Sequence, residues 1–174
     1  MKNFPKFYLI IDDVAWLPRF LPLGLRLVQL RVKGKPEQEI LAQIIRAKAL
    51  CADYDCQLVI NDYWQLAIEA GCDYIHLGQE DLQAANVDKI KAAGLKIGIS
   101  THSKTELQTA LAVQPDYIAL GPVYETTLKK MPWQPQGLAR VTEWKQAIGD
   151  LPLIGIGGLT IARAAGVYEA GADC

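Results

Sequence analysis

Seven short apolar runs recur along the chain, each separated from the next by a longer segment of mixed polarity. They are FYLII (7–11), LVQL (27–30), QLVI (57–60), YIHL (74–77), KIGIS (96–100), YIAL (117–120) and PLIGI (152–156). They are too short for helices, rich in β-branched and aromatic residues, and apolar at successive positions, as strands covered on both faces are. Strand and helix alternating without interruption restrict the fold to parallel β-structure joined by right-handed helical crossovers.

The intervening segments carry helical signals. Pro36 suits a first helical position, and Ile40, Ile44 and Cys51, with Leu41 and Ile45 beside them, form one apolar stripe after it. Ser103-Lys104-Thr105-Glu106 has the form of a capping box opening a helix through Ala112. Thr160 can cap a helix that ends near Gly171. A weak internal repeat joins AGCDYIHLGQ (70–79) to VQPDYIALGP (113–122), and AGAD (170–173) begins it again.

A doubly wound sheet and a closed barrel both satisfy this alternation. The barrel is favoured because the pattern never changes and no GxGxxG follows the first strand. The expected architecture is an α/β (β/α)8 TIM barrel, a single catalytic domain over residues 1–174, with the eighth β/α unit missing from this sequence. An unclosed barrel would expose the edges of its first and last strands, so the sequence reads as a trimmed one.

Composition narrows the function. A net charge of −1, with 21% charged and 51% hydrophobic residues, gives no long-range attraction to polyanions, so neither nucleic acid nor a membrane surface is an expected partner. Cys51 and Cys56 fit neither a CxxC redox pair nor a zinc knuckle, and the four cysteines read as small buried thiols of a reducing compartment. Phe7–Ile11 runs straight into Asp12-Asp13, so no signal peptide is read there, and no stretch approaches the roughly 18 apolar residues of a membrane span. A cytoplasmic location is expected.

In a parallel barrel the C-terminal strand ends share one rim, where the chemistry lies. The polar residues just after each run are Gln29, Arg31 and Lys33; Asn61 and Asp62; Gln79, Glu80 and Asp81; Ser100, Thr101 and His102; Gly121, Pro122 and the loop YETTLKKMPWQPQG; and Gly155, Gly157 and Gly158. Asp62 and Asp81, from adjacent strand ends, suit a shared hard divalent cation such as Mg²⁺, with water and a ligand phosphate completing the octahedron. Arg31, Lys33 and Lys129 offer positive charge, and the GIGG turn offers open backbone amides at a helix start. Together they describe a site for two phosphorylated groups. Taken singly, each has a plainer reading: Asp62 and Asp81 as helix caps, Arg31 and Lys33 as surface charges, GIGG as a tight turn, His102 as a structural histidine, Trp64 and Trp133 as packing and loop-anchoring residues.

QLRVK (29–33), INDYW (60–64), HLGQEDL (76–82), GIST with His102, ALGPVY (119–124), KKMPWQPQGL (129–138) and IGIGGLT (154–160) resemble the thiamine-phosphate synthase (thiamine-phosphate pyrophosphorylase) family, in order, from about residue 8 to 173. The resemblance implies an enzyme, a transferase of thiamine biosynthesis. It would join 4-amino-2-methyl-5-hydroxymethylpyrimidine diphosphate to 4-methyl-5-(2-phosphooxyethyl)thiazole, giving thiamine phosphate and pyrophosphate by Mg-assisted dissociative substitution at the pyrimidine methylene. It implies Asp62 and Asp81 as Mg²⁺ ligands and Arg31, Lys33, Ser100 and Lys129 as catalytic residues. Substrate binding would fall to Gln29, Leu30, Arg31, Val32, Lys33, Asn61, Ser100, Thr126, Thr127, Leu128, Lys129 and Gly158. The partners are the two small-molecule substrates, with a homodimer left open.

The loop 124–137 is long enough for a lid whose closure would bring in Lys129. Where the family usually shows Thr-x-Thr-Lys, this chain reads Thr126-Thr127-Leu128-Lys129, and Leu128 cannot donate a side-chain hydrogen bond. Two other readings stand beside the synthase. One is a thiazole tautomerase-like paralogue, which needs no metal-bound diphosphate and typically carries a histidine where this chain has Pro122. The other is a non-catalytic barrel that binds a phosphorylated ligand.

Overall fold

The computed structural model describes residues 4–126 and 133–174. All seven expected strands form: β1 Leu9–Ile11, β2 Leu27–Leu30, β3 Gln57–Asn61, β4 Tyr74–Leu77, β5 Lys96–Thr101, β6 Tyr117–Leu120 and β7 Leu153–Gly155. The class is α/β with parallel strands. Contacts divide the chain into two compact units, Phe7–Ile97 and residues 4–6 with Gly98–Cys174.

In the unit Phe7–Ile97, β1 to β4 pair in parallel and in chain order. All residues of β2 and β4 are buried, which is why these runs lack the alternation of a half-exposed strand. The register sets Gln29 beside Val59 and Asn61 beside His76. The ladder extends past the strand ends through Arg31 N–H to Ile11 C=O (2.8 Å) and Asp62 N–H to His76 C=O (2.9 Å). The polar residues after β2 and β3 are thereby held in place by backbone hydrogen bonds.

The helices here are α1 Leu17–Phe20, α2 Glu37–Ala52, α3 Trp64–Glu69, α4 Gln79–Ala84 and α5 Val87–Ala92. Pro36 is the residue before α2 rather than its first residue, because its extended ψ points the chain into the helix without joining it. Ile40, Ile44 and Cys51 are buried with Ala47, each large side chain contributing roughly 1.5–3 kcal/mol. Ile45 is 54% exposed, so the stripe is narrower than its sequence pattern. Short helical turns over Val14–Leu23 replace a full crossover helix between β1 and β2, and two short helices, α4 and α5, share the connection from β4 to β5.

In the other unit, β5 from Gly98 onward, β6 and β7 are parallel, with α6 Lys104–Ala112, α7 Gly137–Ile148 and α8 Ile161–Glu169 following them. Ser103 Oγ accepts the Glu106 amide at 3.2 Å, as a capping box requires, but Glu106 Oε2 accepts from the His102 amide at 2.6 Å instead of the cap's own. Thr160 precedes α8 without a side-chain cap bond. Trp144 of α7, 1% exposed, donates to Thr101 Oγ1 (2.8 Å), which donates onward to Ala119 C=O (3.0 Å) and so fixes the end of β5. The AGAD repeat behaves like its counterparts. Asp173 N–H bonds Leu153 C=O at 2.8 Å, and Gly155 N–H bonds Cys174 C=O at 2.9 Å, placing these two residues alongside β7.

The four cysteines are free and buried. Burial pushes the Cys72 thiol to about 11 and the Cys174 thiol to about 12, which leaves both protonated and unreactive. Among the described residues no helix is long and apolar enough to cross a membrane.

Candidate active site

The polar ends of β2, β3 and β4 collect in the unit Phe7–Ile97. Gln29, Arg31 and Lys33 alternate along one face of an extended segment, while Leu30 and Val32 between them are 2% and 3% exposed. The latter two can therefore offer a substrate little beyond their backbone. Gln29 Nε2 donates to Tyr8 Oη at 2.9 Å, which fixes the direction of its amide.

Asp62 turns the chain out of β3 with φ +64, a left-handed conformation that Asp tolerates better than most residues. Its Oδ2 accepts from Asn61 Nδ2 at 2.5 Å and from the Lys33 ammonium. The Asp81 carboxyl, in the first turn of α4, shares a hydrogen bond with that of Asp62. Glycine at position 78 leaves the room this needs, since a Cβ there would lie 3.1 Å from Asp81 Oδ2. Burial, then the Asp62 charge and the shared hydrogen bond, hold the Asp81 carboxyl above the usual carboxylate range, against the opposing pull of Lys33. Neither carboxylate caps a helix: Tyr63 and Gly78 stand at the helix starts, without side-chain cap bonds.

Behind this pair lies His76, which the sequence reading passed over. It is 4% exposed, and burial takes its imidazole down to about 4, opposed by Asp62 and assisted by Arg31. The imidazole is therefore neutral at pH 7. A lone histidine within the apolar run YIHL was the available signal. As pH falls below the ordinary value near 6.5, the unfolded chain takes up a proton that folded His76 refuses until about 4. Stability is accordingly lost across that window. His76→Gln should remove this part of the loss, which melting temperatures recorded from pH 7 to 4 on both proteins would show.

The other unit holds the remaining described candidates. Ser100 and Thr101 end β5. His102 proves structural: its Nδ1 lies 2.9 Å from Glu106 Oε2, and its ring stacks on Trp133 at 5.6 Å and 5°. Trp133 is thus anchored on the His102 ring.

The loop after β6 is stitched to the turn after β7 by Val123 N–H to Ile156 C=O (2.8 Å) and Tyr124 N–H to Gly157 C=O (3.0 Å). This brings the stretch leading to Thr126 against Gly158. Arg163 of α8 clamps both sides, donating to Gly158 C=O at 2.6 Å and lying 4.6 Å from the centre of the Tyr124 ring. Gly158 has φ +67, and a Cβ there would sit 2.3 Å from Glu125 C=O. Gly158→Ala should cost about 1–3 kcal/mol of stability, read as a lowered urea midpoint. Thr127, Leu128 and Lys129, with the lid reading built on them, lie outside the described residues.

A family described as thiamine monophosphate synthase matches residues 7–174. The chain is 58% identical to the thiamine-phosphate synthase of Rhizobium etli over 167 residues, covering 96% of this chain and 82% of that one. It is 46% identical to the thiamine-phosphate synthase of Salmonella choleraesuis over 164 residues, covering 94% and 78%. Among solved structures, a thiamine phosphate pyrophosphorylase from Pyrococcus furiosus superposes with a TM-score of 0.84 at 26% identity, over 95% of this chain and 81% of that one.

Proposed function

The chain belongs to the thiamine monophosphate synthase family, and on that premise we propose how its residues divide the work of joining a pyrimidine diphosphate to a thiazole phosphate. It is a transferase of thiamine biosynthesis, with thiamine phosphate as product. The observation that carries the division of labour is the convergence of Asn61 and Lys33 on one oxygen of the Asp62 carboxyl, to which Asp81 is also hydrogen-bonded.

Two hard carboxylates from neighbouring strand ends fit Mg²⁺, which keeps most of its octahedron for water and ligand oxygens. Bound there, Mg²⁺ would supply electrophilic stabilisation of charge building on the departing diphosphate. Arg31 and Lys33 hold the diphosphate and share that charge. Gln29, oriented by Tyr8, and Asn61 hold the pyrimidine. Leu30 and Val32 meet it through their backbone.

Ser100 and Lys129 contact the phosphates. Gly158, with Thr126 and its neighbours Thr127 and Leu128, receives the thiazole phosphate on backbone and hydroxyl donors. No protein nucleophile is needed, because the aminopyrimidine stabilises the cation left when the carbon–oxygen bond breaks. The protein aligns the thiazole nitrogen and keeps water from that cation. The fold reading that accompanies this is the (β/α)8 barrel, supported by the uniform parallel alternation and by the hydrogen bonds of Asp173 and Cys174 beside β7.

Replacing either cation tests the assignment. Arg31→Met and Lys33→Met should each lower kcat by about a hundredfold with the KM for thiazole phosphate unchanged. The assay follows pyrophosphate release and thiamine phosphate formation with both substrates and Mg²⁺. Wild-type rates in both variants would overturn it.

A further inference from the structure

Lys33 and a divalent cation compete for the same place. The Lys33 ammonium forms an ion pair with Asp62 Oδ2, the oxygen that also accepts from Asn61 Nδ2 at 2.5 Å. The same ammonium acts attractively on the Asp81 carboxyl, which is hydrogen-bonded to that of Asp62. One lysine thus already supplies positive charge to both proposed metal ligands, and Arg31 adds a second charge close enough to act on His76 behind them.

Among the described residues no group of three or more His, Cys, Asp or Glu side chains is placed to hold a metal ion. Two neighbouring carboxylates with an ammonium bound to one of them make a poor seat for a bare cation, since the cation and Lys33 repel each other at contact distance. A diphosphate reverses this balance. It brings several negative charges, offers Lys33 a better partner than a single carboxylate, and supplies oxygens that can complete the metal's coordination.

We propose that Lys33 is an internal cation standing in the metal's place on Asp62, so that Mg²⁺ enters the site only together with the diphosphate. The diphosphate draws Lys33 off Asp62, and the released carboxylates then grip the metal. Because coupling between two ligands is reciprocal, metal and diphosphate each strengthen the binding of the other. The inference rests on Asp62 and Asp81 being the metal ligands, as read above.

The test is equilibrium dialysis of the full chain against Mn²⁺, a paramagnetic substitute for Mg²⁺, with protein-bound metal counted by electron paramagnetic resonance. The wild type should bind Mn²⁺ alone weakly and about tenfold more tightly with saturating inorganic pyrophosphate. Lys33→Met and Lys33→Gln should each bind Mn²⁺ alone about tenfold more tightly than the wild type and gain less from pyrophosphate. Lys33 is half exposed, so these variants should fold, and circular dichroism checks that they do.

Wild-type protein that binds Mn²⁺ equally well with and without pyrophosphate would overturn the inference. So would two Lys33 variants that both match the wild type. Asp81→Asn separates the levels of failure. Should it abolish Mn²⁺ binding while the Lys33 variants change nothing, the ligand assignment survives and only the role of Lys33 falls. Should it leave Mn²⁺ binding intact, the assignment fails and this inference with it. Thiamine phosphate formation by the wild type reports separately on the reaction itself.

Discussion

Asp81→Ala is expected to lower turnover by roughly a thousandfold while leaving thiazole-phosphate binding unchanged. Asp81 touches the Asp62 carboxyl and is acted on by Lys33, all within the unit Phe7–Ile97. Thiazole phosphate is assigned in the proposal to Gly158 and Thr126 rather than to Asp81, so the loss should appear in kcat and in the response to Mg²⁺. Steady-state kinetics against each substrate, with calorimetric titration of thiazole phosphate, read both halves. A variant that retained turnover would overturn the proposal that Asp81 holds Mg²⁺.

The same residue makes a prediction of opposite sign for stability. Asp81 takes its proton more readily in the folded chain than its ordinary value of 3.8 allows. The stability linked to that proton is fully present below about 3.8 and is lost as pH rises through the higher folded value. Burial and the neighbouring Asp62 charge disfavour the ionised Asp81 carboxyl, and Lys33 relieves only part of that. Asp81→Asn should therefore raise the melting temperature at pH 7 even as it abolishes turnover, and should lose that advantage in acid. Such an exchange of stability for activity is expected where like charges are held together for binding.

Trp144→Ala carries the largest expected effect on folding, a loss of about 3–5 kcal/mol. Trp144 is 1% exposed, and its Nε1 donates to Thr101 Oγ1 at 2.8 Å. Truncation would leave a cavity beside β5 and remove the donor that orients Thr101. Trp144→Phe keeps most of the volume and should cost about 1–2 kcal/mol, largely the lost hydrogen bond. Urea unfolding of the three proteins separates the two contributions. A loss below about 1 kcal/mol for the alanine variant would mean that Trp144 does not hold this end of β5.

Several of the proposed site residues were legible as neighbours because strand ends can be located without coordinates. Once YIHL and QLVI are read as buried strands, Asp62 and Asp81 follow as their polar sequels, and the structure joins them by a hydrogen bond. Tyr8, His76 and Arg163 were not legible in the same way. Tyr8 gains its meaning from Gln29, 21 residues away, and His76 from Asp62 and Arg31 on other strands. Arg163 lies on an exposed helical turn and acquires a role only because the Gly158 carbonyl and the Tyr124 ring face it. Ile45 shows the reverse error, an apolar residue at the right spacing that no neighbour covers.

The order of the seven strands and their α/β class were determined by sequence alone, because apolar spacing and β-branched runs act between near neighbours. Membership of the family was equally plain from motifs such as INDYW and HLGQEDL. Only the tertiary structure decided which donor meets which oxygen. That Lys33 and Asn61 converge on Asp62 Oδ2, and that Glu106 turns back to the His102 amide, depends on local geometry at the ångström scale. Hydrogen bonds are lost over about one ångström, a precision that a pattern of residue types along the chain does not carry.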